Sequence, residues 1–275
     1  MKGEEVRKNI TEGEAGIKLT LAIQVVDYKT CKVVPDAYVD IWSSNATVSH
    51  SLHSPFTPNT LTPIPQGMYV GVQGYPGMGD PKDASILKGT TLRGVQPTDS
   101  HGVATFDSLL PGHYSGRATH IHAIVYLGAT KAANNTITGG RAAHVGQLYF
   151  DQALLANVDK VSPYNTNKMA VTKNTADMLF MQGANGDDPI VRYALVGNTL
   201  ADGMFAWIRF GVNTQNNLKV NPAAFWTPSG GVMNPTGPIS QLTGGGFGGW
   251  PGFGGRRRAA AAQAEAEKAQ AEKED

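Results

Sequence analysis

The chain has 275 residues, 41% of them hydrophobic and 16% charged, with a formal net charge of +1. That length suits one large domain or one domain with extensions; the charge gives no field that would favour nucleic acid or an acidic ligand, and no apolar run reaches the ~18 residues a spanning helix needs. Gly 33 and Pro 16 lean toward a turn-rich β protein, and Cys31, the single cysteine, excludes an intrachain disulfide.

The opening "MKGEEVRKNITEGEAG" is polar and lacks the apolar stretch of a secretory signal, so residues 1–16 read as an N-terminal extension. The chain is then either intracellular or secreted with its signal removed, and sequons at Asn9, Asn45 and Asn134 suit the second case. "KLTLAIQVVD" predicts a strand with Leu19, Leu21, Ile23 and Val25 on one face. "DYKTCKVVPDA" reads as a turn, and "AYVDIWS" as a strand with Tyr38, Asp40 and Trp42 on one side. Between Ser43 and Leu92 lies an irregular segment far longer than the usual ~4–6 residue connection.

"TLRGVQPTDSHGVATFDSLLPGHY" predicts a strand, a turn at Thr98–Gly102 and a second strand. "HIHAIVYLG" is a further strand, followed by a loop at Gly139–Gly140 and a strand in "VGQLYFD". Helical signals are few, in "SPYNTNKMAVT" and "TADMLFMQGA", and "DGMFAWIRFGVN" reads as the final strand. The expected fold is mainly all-β, a sandwich of mixed and antiparallel strands over residues 17–213 with long functional loops. Residues 214–254 form a Gly/Pro-rich linker, and residues 255–275 a charged helical or solvated tail without an apolar stripe.

Alternation along "HIHAIVYLG" puts His120 and His122 on one face and Ile121, Ala123, Val125 and Leu127 on the core face. Such a pair can chelate one ion, and it also suits two hydrogen-bonded histidines on a half-solvated strand. Tyr114 follows a Pro-Gly turn and lies six residues before His120, close enough to return to the same place. Phenolic oxygens with imidazole nitrogens suit a hard, oxidised ion such as Fe(III), with copper left open by the spacing. Zinc would more often show Cys or acidic ligands.

"PGHYSGRATHIH" resembles the signature of the intradiol ring-cleavage dioxygenases, and of their fungal branch in particular. The motifs "VVPDAYVDIWSSNAT", "LRGVQPTDSHGVATFDSLLPGHY", "HVGQLYFDQAL" and "DGMFAWIRFGV" extend the resemblance over roughly Gly13 to Val212. It implies a mononuclear non-haem Fe(III) held by two tyrosines and two histidines, of which Tyr114, His120 and His122 match three. The fourth should follow "DIW" closely, where the ungapped position falls near His50. Either His50 or His53 has taken its place, or residues 48–66 are a loop insertion after which "GMYVGVQG" resumes the pattern. The second reading makes Tyr69 the fourth ligand, with Tyr75 as a spare.

The same resemblance assigns Arg117 to stabilising the substrate as its electrons move toward oxygen, and Gln147 to a place near the iron. It implies an aromatic small-molecule substrate and O2, a catechol cleaved between its two hydroxyl-bearing carbons, and Tyr114 as the ligand that yields to substrate and takes its proton. No nucleic acid and no transmembrane segment are expected, and a homodimer is allowed. Two other readings stand beside it: an iron enzyme that oxidises or rearranges a larger aromatic natural product, and a non-catalytic transthyretin-like β-sandwich binding module.

Overall fold

The computed structural model describes residues 5–47, 90–114 and 116–220, and the backbone of two further strands at Ala224–Thr227 and Gly230–Met233. The 48–66 segment, Tyr69, Tyr75, His50, His53 and the 255–275 tail lie outside the described residues. So does the second compact unit, Ser240–Asp275.

Two four-stranded sheets carry the fold. In the first, β1 (Lys18–Asp27) sits between β4 (Val103–Leu109), antiparallel to it, and β8 (Met204–Val212), parallel to it, with β7 (Arg192–Leu195) on the outer edge. The strict apolar–polar alternation of β1 explains its place: Leu19, Leu21, Ile23 and Val25 are buried while Thr20, Ala22 and Gln24 are only half-buried. The same period in β8 buries Met204, Ala206, Ile208, Phe210 and Val212.

In the second sheet β3 (Arg93–Pro97), β2 (Tyr38–Ser43), β5 (His120–Lys131) and β6 (Ile137–Tyr149) lie side by side, all antiparallel. Val39 and Ile41 of β2, Ile121, Ala123 and Val125 of β5, and Leu148 of β6 join the β1, β4 and β8 side chains in one apolar cluster. Burying each such Val, Leu or Ile side chain contributes about 1.5–3 kcal/mol. The core face of β5 is the one the alternation predicts. Because a strand shows its other residues to the opposite side, the outer face of this sheet is left to carry polar groups, and the candidate site lies there.

The structure differs from the sequence reading in several places. Gly139 and Gly140 are not a loop: they lie within β6, with φ of 68° and 73°. A Cβ on Gly140 would stand 2.7 Å from the backbone nitrogen of Ala129, so glycine lets the two strands stay paired here. The residues before β1 are laced onto the domain, with Ile10 fully buried and Val6 bridging Val95. Two elements carry no prior signal, α1 (Gln152–Val158), capped by Asp151, and the short β7. Beyond β8, β9 (Ala224–Thr227) and β10 (Gly230–Met233) form a hairpin. The helical signal in "TADMLFMQGA" is α2 (Met178–Gly183).

Candidate metal centre

Register builds the site. Across β3, β2, β5 and β6 the cross-strand partners run Arg93–Trp42–His122–Gln147, and the adjacent pair on the same face is His120–Tyr149. Directly opposed side chains lie about 5 Å apart, so one transverse row places an indole, an imidazole and an amide in contact. Trp42 stacks flat on His122 with centroids 4.7 Å apart and planes 2° apart.

Tyr114 comes from outside the sheet. Gly112 passes so close to the strand-exit backbone that a Cβ would stand 2.4 Å from the carbonyl oxygens of both Asn45 and Ala46. Its own N–H donates to Asn45, and Ser44 Oγ donates to its carbonyl. On the other side His113 is buried, its Nδ1 beside Asp159 (3.1 Å) and its Nε2 beside the Met169 carbonyl (3.0 Å). The Pro-Gly turn is thus clamped, and Tyr114 is delivered into the site.

Tyr114 Oη lies 3.2 Å from His120 Nε2, and His120 Nε2 lies 3.1 Å from His122 Nε2. His120 Nδ1 donates to the Ala118 carbonyl at 2.6 Å, so its Nε2 is a bare lone pair. Arg117 can only donate. Its Nη2 and the Tyr149 hydroxyl both donate to Gln147 Oε1, each at 2.5 Å, which turns the Gln147 amide nitrogen toward His122 Nδ1 at 3.2 Å. His122 then carries its ring proton on Nε2, facing His120. One lone pair therefore meets two protons, from Tyr114 and from His122.

Both rings are neutral near pH 7. Burial pushes the His120 pKa down to about 3, with the Arg117 charge adding to the effect. Burial, then the neighbouring His120 and the Arg117 and Arg93 charges, hold His122 well below its usual value.

Three donor atoms of the residue types that suit a hard cation converge within hydrogen-bond distance. Their crowding around one lone pair is what a cation among them would relieve once the Tyr114 proton leaves and the neutral His122 ring carries its proton on Nδ1 instead of Nε2, with the Gln147 amide nitrogen turned from that atom. The residues therefore fit Fe(III), with His120 already in the ligating tautomer. Among the described residues no cluster of three or more His, Cys, Asp or Glu offers a rival site.

Of the residues singled out from sequence, the structure brings Tyr114, Arg117, His120, His122 and Gln147 together; Tyr69 lies outside the described residues. Sequence reasoning gave no role to Trp42, Tyr149 or Asp177. Trp42 carried a signal, since the predicted strand face already held it. Asp177, 1% exposed, accepts from Arg117 Nε at 3.0 Å and from the Ala118 N–H at 2.8 Å. Tyr149 is buried against Phe180 of α2, edge to face at 5.0 Å. His101 is exposed in a turn.

No protein-family model matches the chain, and no curated protein matches it. Solved structures do. The intradiol ring-cleavage dioxygenase from Tetranychus urticae is 27% identical with a TM-score of 0.58, over 80% of this chain and 92% of that one. A second dioxygenase crystal structure is also 27% identical, with a TM-score of 0.57 and the same coverage. In fold, and at 27% identity in sequence, the chain is thus similar to intradiol ring-cleavage dioxygenases of solved structure.

Proposed function

We propose that the chain is a non-haem Fe(III) intradiol-type dioxygenase that cleaves a catechol or related phenolic compound with O2. Tyr114, His120 and His122 would hold the metal, and Tyr69, beyond the 48–66 insertion, would complete the set. The observation that carries this reading is the convergence of Tyr114 Oη and two imidazole Nε2 atoms, with one lone pair facing two protons. A transthyretin-like binding module gives no reason for that arrangement.

When bound, Fe(III) supplies the Lewis acidity that lowers the pKa of catechol hydroxyls and prepares the ring for O2. The chain's residues do the rest. Tyr114, as a phenolate, would take up a substrate proton at Oη. The Arg117 guanidinium offsets negative charge that develops on the substrate. The flat Trp42 ring holds His122 in orientation, and the Ala118 carbonyl holds the tautomer of His120.

The test is the visible spectrum of protein loaded with Fe(III), together with O2 uptake and product analysis on catechol. A tyrosinate charge-transfer band is expected, weakened in Tyr114→Phe and in Tyr69→Phe, with a ring-opened muconate-type diacid as product. Colourless protein that binds no iron overturns the reading. A band lost in His50→Ala and unchanged in Tyr69→Phe overturns the assignment of the fourth ligand.

A further inference from the structure

A guanidinium on a long, flexible stem orders only at the cost of its rotamer freedom. Arg117 sits in the short turn between Tyr114 and β5, and its guanidinium is held by residues far along the chain. Its five N–H groups divide unevenly. Nε donates to Asp177, Nη2 donates to Gln147 Oε1 and to Tyr149 Oη, and the buried Nη1 has no hydrogen-bond partner among the described residues.

Asp177, sixty residues downstream, divides its two oxygens in the same way. Oδ2 receives Arg117 Nε and the Ala118 N–H; Oδ1 receives the N–H groups of Leu179 and Phe180 and so caps α2. Ala118, held at its nitrogen, is also the residue whose carbonyl accepts from His120 Nδ1. The helix held at its first turn carries Phe180 onto Tyr149, which donates to the same Gln147 oxygen as Arg117. The contacts close into a ring: Asp177, Arg117, Gln147, Tyr149, Phe180 and back to Asp177.

We infer that Asp177 is the positioning residue of this site: through Oδ2 it aims the Arg117 guanidinium, keeping Nη2 on Gln147 and leaving Nη1 for the substrate. This rests on the proposed dioxygenase function for its effect on turnover, but not for its effect on Arg117. A capping aspartate with no second duty would leave the guanidinium to other partners. Here the carboxylate also supplies the anion beside a buried cation, which a neutral side chain cannot.

The decisive variant is Asp177→Ser, because serine still caps a helix but is too short to reach Arg117. Thermal unfolding and Fe(III) titration check that it folds and loads. Turnover of catechol is then measured in wild type, Asp177→Ser, Arg117→Ala and the double variant. The expected result is a fall in kcat of about 10²-fold in Asp177→Ser, the scale of a misplaced group, with no further fall when it is added to Arg117→Ala. Equal falls in both backgrounds overturn the inference. The second measurement is hydrogen exchange of the Arg117 Nε–H by NMR on the same proteins without substrate. Slow exchange in wild type, lost in Asp177→Ser, is expected; no change between them overturns the inference independently. Wild-type protein that shows the slow Nε–H and no activity on catechol would sink the proposed function and leave the positioning role standing.

Discussion

Trp42 separates Arg93 from His122. The imidazole lies flat on the indole, and the guanidinium carbon of Arg93 stands 4.7 Å from the indole centroid. The aromatic ring thus keeps a buried cation off the His122 ring while holding that ring in plane. Trp42→Phe should keep the stack and bind Fe(III) within a few-fold of wild type. Trp42→Leu should lose the ring contact, worth about 0.5–1.5 kcal/mol beyond area, and bind Fe(III) about tenfold more weakly. Equal affinities for the two variants in a metal titration would remove the stacking from the account.

The buried histidines predict how metal-free protein responds to acid. The His120 pKa in the folded chain, about 3, is below the ~6.5 of an unfolded chain, and His122 is shifted in the same direction. The unfolded chain therefore takes up these protons first. Their contribution to stability is complete above about pH 6.5 and is lost as pH falls from there toward 3, at up to about 1.4 kcal/mol per pH unit for each ring. Urea unfolding of metal-free protein should lose about 1 kcal/mol or more between pH 6 and pH 5. A flat profile over that interval would show that the rings do not stay neutral.

Asp40 and Arg93 form an ion pair at 2.8 Å with side chains 3% and 2% exposed. Burial pushes the Asp40 carboxyl up despite its partner. Arg93→Met should cost about 3–5 kcal/mol by leaving a buried carboxylate uncompensated. Adding Asp40→Leu should recover much of that loss, and a double variant no more stable than Arg93→Met in chemical denaturation would contradict this.

Gly112→Ala should be among the most damaging single substitutions outside the row of site side chains. Its Cβ would meet two carbonyl oxygens at 2.4 Å, with backbone on each side and no flexible group to yield. A loss of about 2–4 kcal/mol in unfolding free energy is expected, together with weaker Fe(III) binding because the turn delivers Tyr114. Wild-type stability and affinity would show that the turn can shift freely.

The parts of the site that sequence made legible are those set by short-range periodicity. Nine positions hold Tyr114, Arg117, His120 and His122, and strand alternation separates the two histidines from the core residues between them. β1 and β8 were readable for the same reason, because one face of each meets only apolar side chains. What escaped depends on register and distance. Tyr149 reaches His120 only through the β5–β6 pairing, Trp42 reaches His122 only through β2–β5, and Asp177 meets Arg117 across sixty residues. Gly139 and Gly140 were misread because adjacent glycines signal a turn, whereas here they admit a close strand approach.

The β5–β6 pairing has one irregularity, between Val125 and Tyr126. It falls beyond the pairs His120–Tyr149 and His122–Gln147, on the side toward the hairpin tip at residues 132–136. The hairpin is thereby split into a proximal half that holds the candidate site's residues and a distal half whose tip bonds to Val6. Length changes at the tip would thus act first on the contact between Asn135 and Val6, so a probe placed there would report on how the residues before β1 are held rather than on the site.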